Sequence, residues 1–302
     1  MDLPESVAAI GERIGGGGAI VPDPQLLTGA DVFASERDRL FMRPWIAVDH
    51  VGRLDKAKHY FRFDAATRSI LVTRAADGRL HALRNVCIHA GYPVCEAEEG
   101  AVERLICPYH GWEFTLEGRL VEPDLSARID PARLRLASHP VCVRDGLIFV
   151  DLSAPASDDP AFAPIAAAPV PEWLAEAEII ERTRYTTERN WKIVLQLLKS
   201  SSHLVLDEPD DGTVTVFGPL SLMMTQPQQA ALLRVIPKSA ERTDIQLIRM
   251  APRGAPCQPA AVDGVDRLSE GLRQAGNADA AAPLAELDRE FFAWYWSLMS
   301  TG

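Results

Sequence analysis

The chain has 302 residues, is 47% hydrophobic and 24% charged, and carries a formal net charge of −11, which leaves room for two domains with buried cores. It contains no run of about 18 apolar residues, and its first residues are acidic where a secretory leader needs basic ones, so a membrane span and export are disfavoured and a cytoplasmic protein is expected. The acidic balance disfavours nucleic acid, whose phosphates are held by Lys and Arg. The five cysteines are an odd number scattered along a long chain, which points to metal binding in a reducing compartment rather than to a disulfide scaffold.

Residues 1–37 read as an N-terminal arm with a flexible joint at Gly15 to Gly18, because the glycine run follows no strand and lacks the Lys and Ser/Thr of a phosphate loop. Short alternating strands then follow in HYFRF, SILVTR and RLHALRNV, with AADG as the turn before the last of them. The same pattern returns in WEFTLEGRLV, turning at Glu117 and Gly118, and in VCVRDGLIFVDL, turning at Asp145 and Gly146. This predicts an antiparallel β domain over 38–152. Residues 153–171, dense in Pro, Ala and Ser, read as a linker. A second domain over 172–302 mixes a helix in RNWKIVLQLLKSSSH, with apolar residues at Trp191, Val194, Leu195 and Leu198, with strands in TVTVF, ALLRVIP and DIQLIRMAP and a closing aromatic helix in AELDREFFAWYWSLM. The fold class expected is α+β.

The chemistry concentrates in NVCIHAGYPVCEAEEGAVERLICPYHGWEF. Cys87 and His89 form a CxH pair, and Cys107 and His110 form a CxxH pair, each placed at the tip of a hairpin. Two thiolates on one iron and two neutral imidazoles on the other are the ligand set of a Rieske [2Fe-2S] cluster, less negative and easier to reduce than an all-cysteine one. Gly91 and Gly111 let each loop turn tightly and aim amides at sulfur. Two Cys and two His also satisfy tetrahedral zinc, but zinc fingers pair Cys with Cys and His with His.

The stretch resembles the Rieske domain of the alpha subunits of Rieske non-haem iron oxygenases, of the ring-hydroxylating and N-demethylating type, down to CPYHGW and the later EGRL and DG turns. The resemblance implies an antiparallel β Rieske domain followed by a helix-grip-like antiparallel sheet domain with helices. Ala90 departs from the family, which usually has Arg there. Tyr92 and Tyr109 stand where respiratory-type Rieske proteins carry disulfide cysteines, favouring the oxygenase branch and leaving Cys95, Cys142 and Cys257 as structural thiols.

In the family the second domain holds a mononuclear Fe(II) on two His and one carboxylate. Asn190, Trp191, Lys192, His203 and Pro209 match its motif, whereas Ser200 stands where the electron-bridging acid belongs and Glu208 where the second His belongs. Of the seven histidines only His203 follows residue 152, so the mononuclear iron is expected to be absent from this chain. Asp207, Glu208, Asp210 and Asp211 offer an alternative carboxylate site beside His203 but read more simply as a solvated turn, and Asp263, Asp266 and Glu270 make a weak distal carboxylate set. The FFAWYW run reads as core rather than as a substrate pocket.

The expectation that follows is an oxygenase subunit relaying electrons from a flavin/iron-sulfur reductase or ferredoxin to a catalytic alpha-type partner in a trimer-based hetero-oligomeric ring. The alternatives are a self-sufficient mono- or dioxygenase using His203 and nearby carboxylates, and a stabilising partner whose cluster is purely structural.

Overall fold

The computed structural model describes residues 3–16, 23–42, 45–65, 68–121, 134–153, 170–200, 212–255, 270 and 289–300. The chain divides into two units, Pro44–Ala167 and a discontinuous one made of Met1–Arg43 with Ala168–Gly302. No helix among the described residues is long and apolar enough to cross a membrane.

Period-two alternation builds the unit Pro44–Ala167. Its strands are β1 (Ile46–His50), β2 (His59–Ala65), β3 (Arg68–Arg74), β4 (Leu80–Arg84), β5 (Glu99–Ala101), β6 (Leu105–Ile106), β7 (Glu113–Phe114), β8 (Ser138–His139), β9 (Val141–Arg144) and β10 (Leu147–Val150). They form sheets ordered β5-β2-β3-β4-β8, β1-β10-β9 and β6-β7, antiparallel throughout. The turn between β9 and β10 places Asp145 at φ 51° and Gly146 at φ 78°, the paired positive values that a type I′ hairpin turn requires. Between β3 and β4, Asp77 Oδ1 accepts the Arg79 amide at 2.9 Å, so the carboxylate closes the turn that AADG predicts.

The register sorts β2, β3 and β4 into two faces. Phe61 and Phe63 pair with Val72 and Ile70 on one, while Leu71 pairs with Leu83 on the other, which also carries Tyr60. This second face packs into one apolar cluster with Cys87, Cys107, Phe114 and Leu136. Burying each large apolar side chain there stabilises the unit by about 1.5–3 kcal/mol. The two candidate loops therefore stand on a firm apolar floor.

The discontinuous unit contains α1 (Glu5–Gly16), α2 (Gln25–Thr28), α3 (Ala30–Arg39), α4 (Trp191–Ser200) and α5 (Arg289–Met299), with an antiparallel sheet of β11 (Glu178–Thr187), β12 (Thr213–Val216), β13 (Ser221–Gln226), β14 (Gln229–Ser239) and β15 (Arg242–Ala251) in the order β11-β15-β14-β13-β12. The arm predicted over 1–37 is thus not separate. Helix α1 lies so close to α5 that a Cβ on Gly11 would fall 2.3 Å from the Trp296 ring. Gly15 and Gly16, half of the supposed joint, end α1, and Gly17 and Gly18 lie outside the described residues. The linker predicted over 153–171 lies almost wholly outside them too.

A buried ionic group explains why residues 1–43 join this unit. The Glu36 carboxylate on α3, fully buried, accepts from Trp191 Nε1 at 2.8 Å and from the Tyr295 hydroxyl at 2.6 Å, and pairs with Lys192 Nζ at 2.5 Å. Lys192 Nζ also donates to the Leu26 carbonyl at 2.6 Å, and Asn190 Nδ2 donates to the carbonyls of Leu27 and Ala240. Burial pulls the Lys192 ammonium below its ordinary pKa, against the opposing pull of Glu36.

Asp244 on β15 shows the opposite balance. Burial favours its neutral form, but hydrogen bonds from Thr186 and Arg184 and the charges of Arg184 and Lys238 hold it below the usual 3.8. A depressed carboxyl stabilises the fold above its unfolded pKa, and that contribution is lost as pH falls through the folded value. Asp244→Asn should cost about 1 kcal/mol at neutral pH, discounted because Arg184 is 40% exposed. Urea melts should show the two proteins converging as pH drops below 4.

Candidate metal centre

Two loops that differ in length share one hydrogen-bond pattern. Between β4 and β5, the Cys87 amide donates to the Tyr92 carbonyl at 2.7 Å and the Gly91 amide to the Cys87 carbonyl at 2.9 Å. Between β6 and β7, the Cys107 amide donates to the Trp112 carbonyl at 2.8 Å and the Gly111 amide to the Cys107 carbonyl at 3.0 Å. In both loops the glycine stands four residues after the cysteine, with φ 74° and 72°. A Cβ there would meet nothing within 4 Å, so backbone conformation rather than space requires glycine.

The thiols point inward and the imidazoles outward. Cys87 and Cys107 are each 2% exposed and belong to one apolar cluster. Burial raises the Cys87 thiol, and Cys107 adds to the rise, while the amides of His89 and Ala90 donate to its sulfur and oppose it. His89 and His110 are exposed, with ring centroids 4.6 Å apart, and His89 stacks on Trp112 at 4.5 Å and 5°. Tyr109 lies 4.0 Å from His110 and 4.8 Å from Tyr92. Tyr92, Tyr109, Ile88 and Ile106, at 39–55% exposure, give the loop tips an apolar surface.

This donor set fits a two-iron cluster. A bridged pair of irons asks two protein donors of each metal, and here the sulfur pair and the nitrogen pair are segregated by depth.

Asn85 is a residue that motif reading missed. It is 2% exposed, and its Oδ1 accepts the amides of Val94 and Cys95 at 2.9 and 2.8 Å, while its Nδ2 donates to the Cys95 carbonyl at 2.7 Å and to Ser69 Oγ at 3.2 Å. One side chain thereby staples both ends of the first loop. Its only sequence signal is a short amide two positions before a ligand-type Cys.

The other cysteines differ from one another. Cys142 on β9 is partly buried and its thiol is pushed up to about 11 by burial, with Arg144 pulling the other way. Cys95 is also partly buried but belongs to the apolar cluster around Cys87 and Cys107. Cys257 lies outside the described residues, as do His203, Asp207, Glu208, Pro209, Asp210, Asp211, Asp263 and Asp266. Ser200 ends α4. Of the distal carboxylates only Glu270 is described, and it is partly buried.

Residues 44–139 match the Rieske [2Fe-2S] domain. The oxygenase subunit of glycine betaine monooxygenase from Pseudomonas aeruginosa (strain UCBPP-PA14) is 28% identical over 183 residues, 59% of this chain and 42% of that protein. That of carnitine monooxygenase from Escherichia coli (strain K12) is 30% identical over 174 residues, 56% of this chain and 46% of that protein. These matches span less than half the length of either relative. The crystal structure of the quaternary ammonium Rieske monooxygenase CntA with L-carnitine superposes with TM-score 0.70 at 17% identity, covering 91% of this chain and 94% of that one. Naphthalene 1,2-dioxygenase with bound indole gives 0.58 at 16% identity, covering 84% and 75%. Residues 44–139 are thus matched as a Rieske [2Fe-2S] domain, the chain is similar to alpha subunits of Rieske non-haem iron oxygenases, and its mixed α+β architecture agrees with that predicted from the sequence. Chlorobenzene dioxygenase subunit alpha from Cupriavidus sp. (strain PS12) is also similar, 29% identical over 140 residues, 45% of this chain and 31% of that protein.

Proposed function

We propose that Cys87 and Cys107 hold one iron and His89 and His110 the other iron of a Rieske [2Fe-2S] cluster, and that the chain relays single electrons to a mononuclear iron centre in a partner alpha-type subunit. The carrying observation is the segregation of buried thiols from exposed imidazoles. A cluster so held takes up and gives off one electron at a time. The protein's own work is positional. The apolar floor shields the sulfur side from water, Asn85 fixes the first loop, and the amides of His89 and Ala90 direct their dipoles at the Cys87 sulfur. The exposed imidazole edges, flanked by Tyr92, Tyr109, Ile88 and Ile106, suit a short, dehydrated contact with a donor or acceptor protein.

The choice of an acceptor outside the chain rests on the second-domain motif, which has Glu208 in the place of a histidine and Ser200 in the place of the bridging acid. Electrons would come from a flavin/iron-sulfur reductase or ferredoxin, and the assembly would be a trimer-based hetero-oligomer. Elemental analysis and native mass measurement of the purified complex test this. The expected result is about two irons on this chain and a distinct catalytic subunit copurifying with it. A solitary homotrimer with about three irons per chain would replace this proposal with a self-sufficient oxygenase using His203.

A further inference from the structure

A third sulfur lies beside the proposed ligand pair. Cys95 packs, partly buried, against the apolar cluster that holds Cys87, Cys107 and Tyr60. Asn85 pins the backbone of Cys95 on both sides, accepting its N–H at 2.8 Å and donating to its carbonyl at 2.7 Å. The position of this side chain is thus set by a buried residue only two places before Cys87.

Tyr60 approaches from the sheet. It is 6% exposed, burial and the neighbouring Cys95 thiol raise its pKa, and its phenol in turn opposes the burial that raises the Cys95 thiol. On the neighbouring strand Gly100 pairs with Tyr60, and a Cβ at Gly100 would lie 2.9 Å from Tyr60 Cε1 and 3.2 Å from its hydroxyl oxygen. Glycine at 100 therefore leaves room for the ring to lie where it does. The phenol, with one hydrogen to give, can donate it to the Cys95 sulfur, which would leave the Cys95 S–H free for another acceptor. The neighbouring acceptor whose negative charge would grow on reduction of a cluster is a ligand thiolate.

We propose that Cys95 is a positioning residue of the electron-transfer centre: polarised by Tyr60 and fixed by Asn85, its S–H donates toward the Cys107 sulfur and raises the reduction potential. This rests on Cys107 being a cluster ligand. Hydrogen bonds to cluster sulfurs stabilise the more negative, reduced state, and a chain of donors strengthens the last link.

The experiment uses the full chain with its cluster and compares it with Cys95→Ala, Cys95→Ser and Tyr60→Phe. Midpoint potential is measured by redox titration, with visible absorption and electron paramagnetic resonance as checks on the cluster. Cys95→Ala should lower the reduction equilibrium constant severalfold, a tenfold change being about 59 mV for one electron. Cys95→Ser, which keeps a donor, should recover most of the loss, and Tyr60→Phe should shift the potential the same way by less. Unchanged potentials with an intact spectrum overturn the relay. Should Cys95→Ala fail to retain the cluster, an unchanged potential in Tyr60→Phe with an intact spectrum overturns it equally. A colourless unmodified chain overturns the ligand set itself, and is distinguished by needing no substitution.

Discussion

Replacing Cys107 by Ser is expected to abolish the visible absorption of the purified protein and to destabilise the unit Pro44–Ala167. The serine oxygen is a harder donor than thiolate, and it stands in a site 2% exposed, where water has little access. Because a metal group bound only by the folded state adds its binding energy to folding, the loss should exceed the roughly 2–5 kcal/mol of a large core truncation. Thermal melts with absorption as a second probe measure both effects. Cys142→Ser is the control and should keep the colour, since that thiol lies on β9 outside the cluster of buried residues around Cys87 and Cys107. A colourless unmodified protein with one bound zinc would end the electron-transfer account.

The second large effect is expected at Lys192. Lys192→Met keeps the length of the side chain but leaves the Glu36 carboxylate buried with the neutral donors Trp191 and Tyr295 alone. Breaking a buried pair by removing one partner costs about 3–5 kcal/mol, because the remaining charge is uncompensated. The double replacement Glu36→Leu with Lys192→Met removes both charges and should recover much of that loss. Denaturant melts of the two variants decide the matter. A loss below about 1 kcal/mol for Lys192→Met would mean that the carboxylate is not held as a charge there.

Much of the fold was legible because local signals and burial agreed. HYFRF, SILVTR and VCVRDGLIFVDL alternate and turn where β2, β3, β9 and β10 do, and the Asp145–Gly146 dipeptide matches its own turn geometry. Strand β11 was missed because EIIERTRYTT alternates charged residues on a mostly half-exposed strand, which carries little apolar period. Strand β13 was missed for the opposite reason, being buried along nearly its whole length. The four donor positions stood out by spacing. Their support did not, since the roles of Asn85, Tyr60 and Gly100 depend on pairings between strands. Asn190, Trp191 and Lys192 stood out as a motif, but the burial of Lys192 against Glu36 was least legible of all. A charged residue can be buried only with partners that are distant in the chain, and no window of neighbouring residues reveals them.

The bond between Glu36 and Tyr295 spans 259 positions. At roughly 5–20 residues per second, synthesis delays its closure by tens of seconds after the first helices leave the ribosome. In that interval Pro44–Ala167 has all of its own strands available, whereas α3 waits with the residues that will shelter its carboxylate still unmade. Residues 44–167 can therefore fold before the segments on either side of them close upon each other.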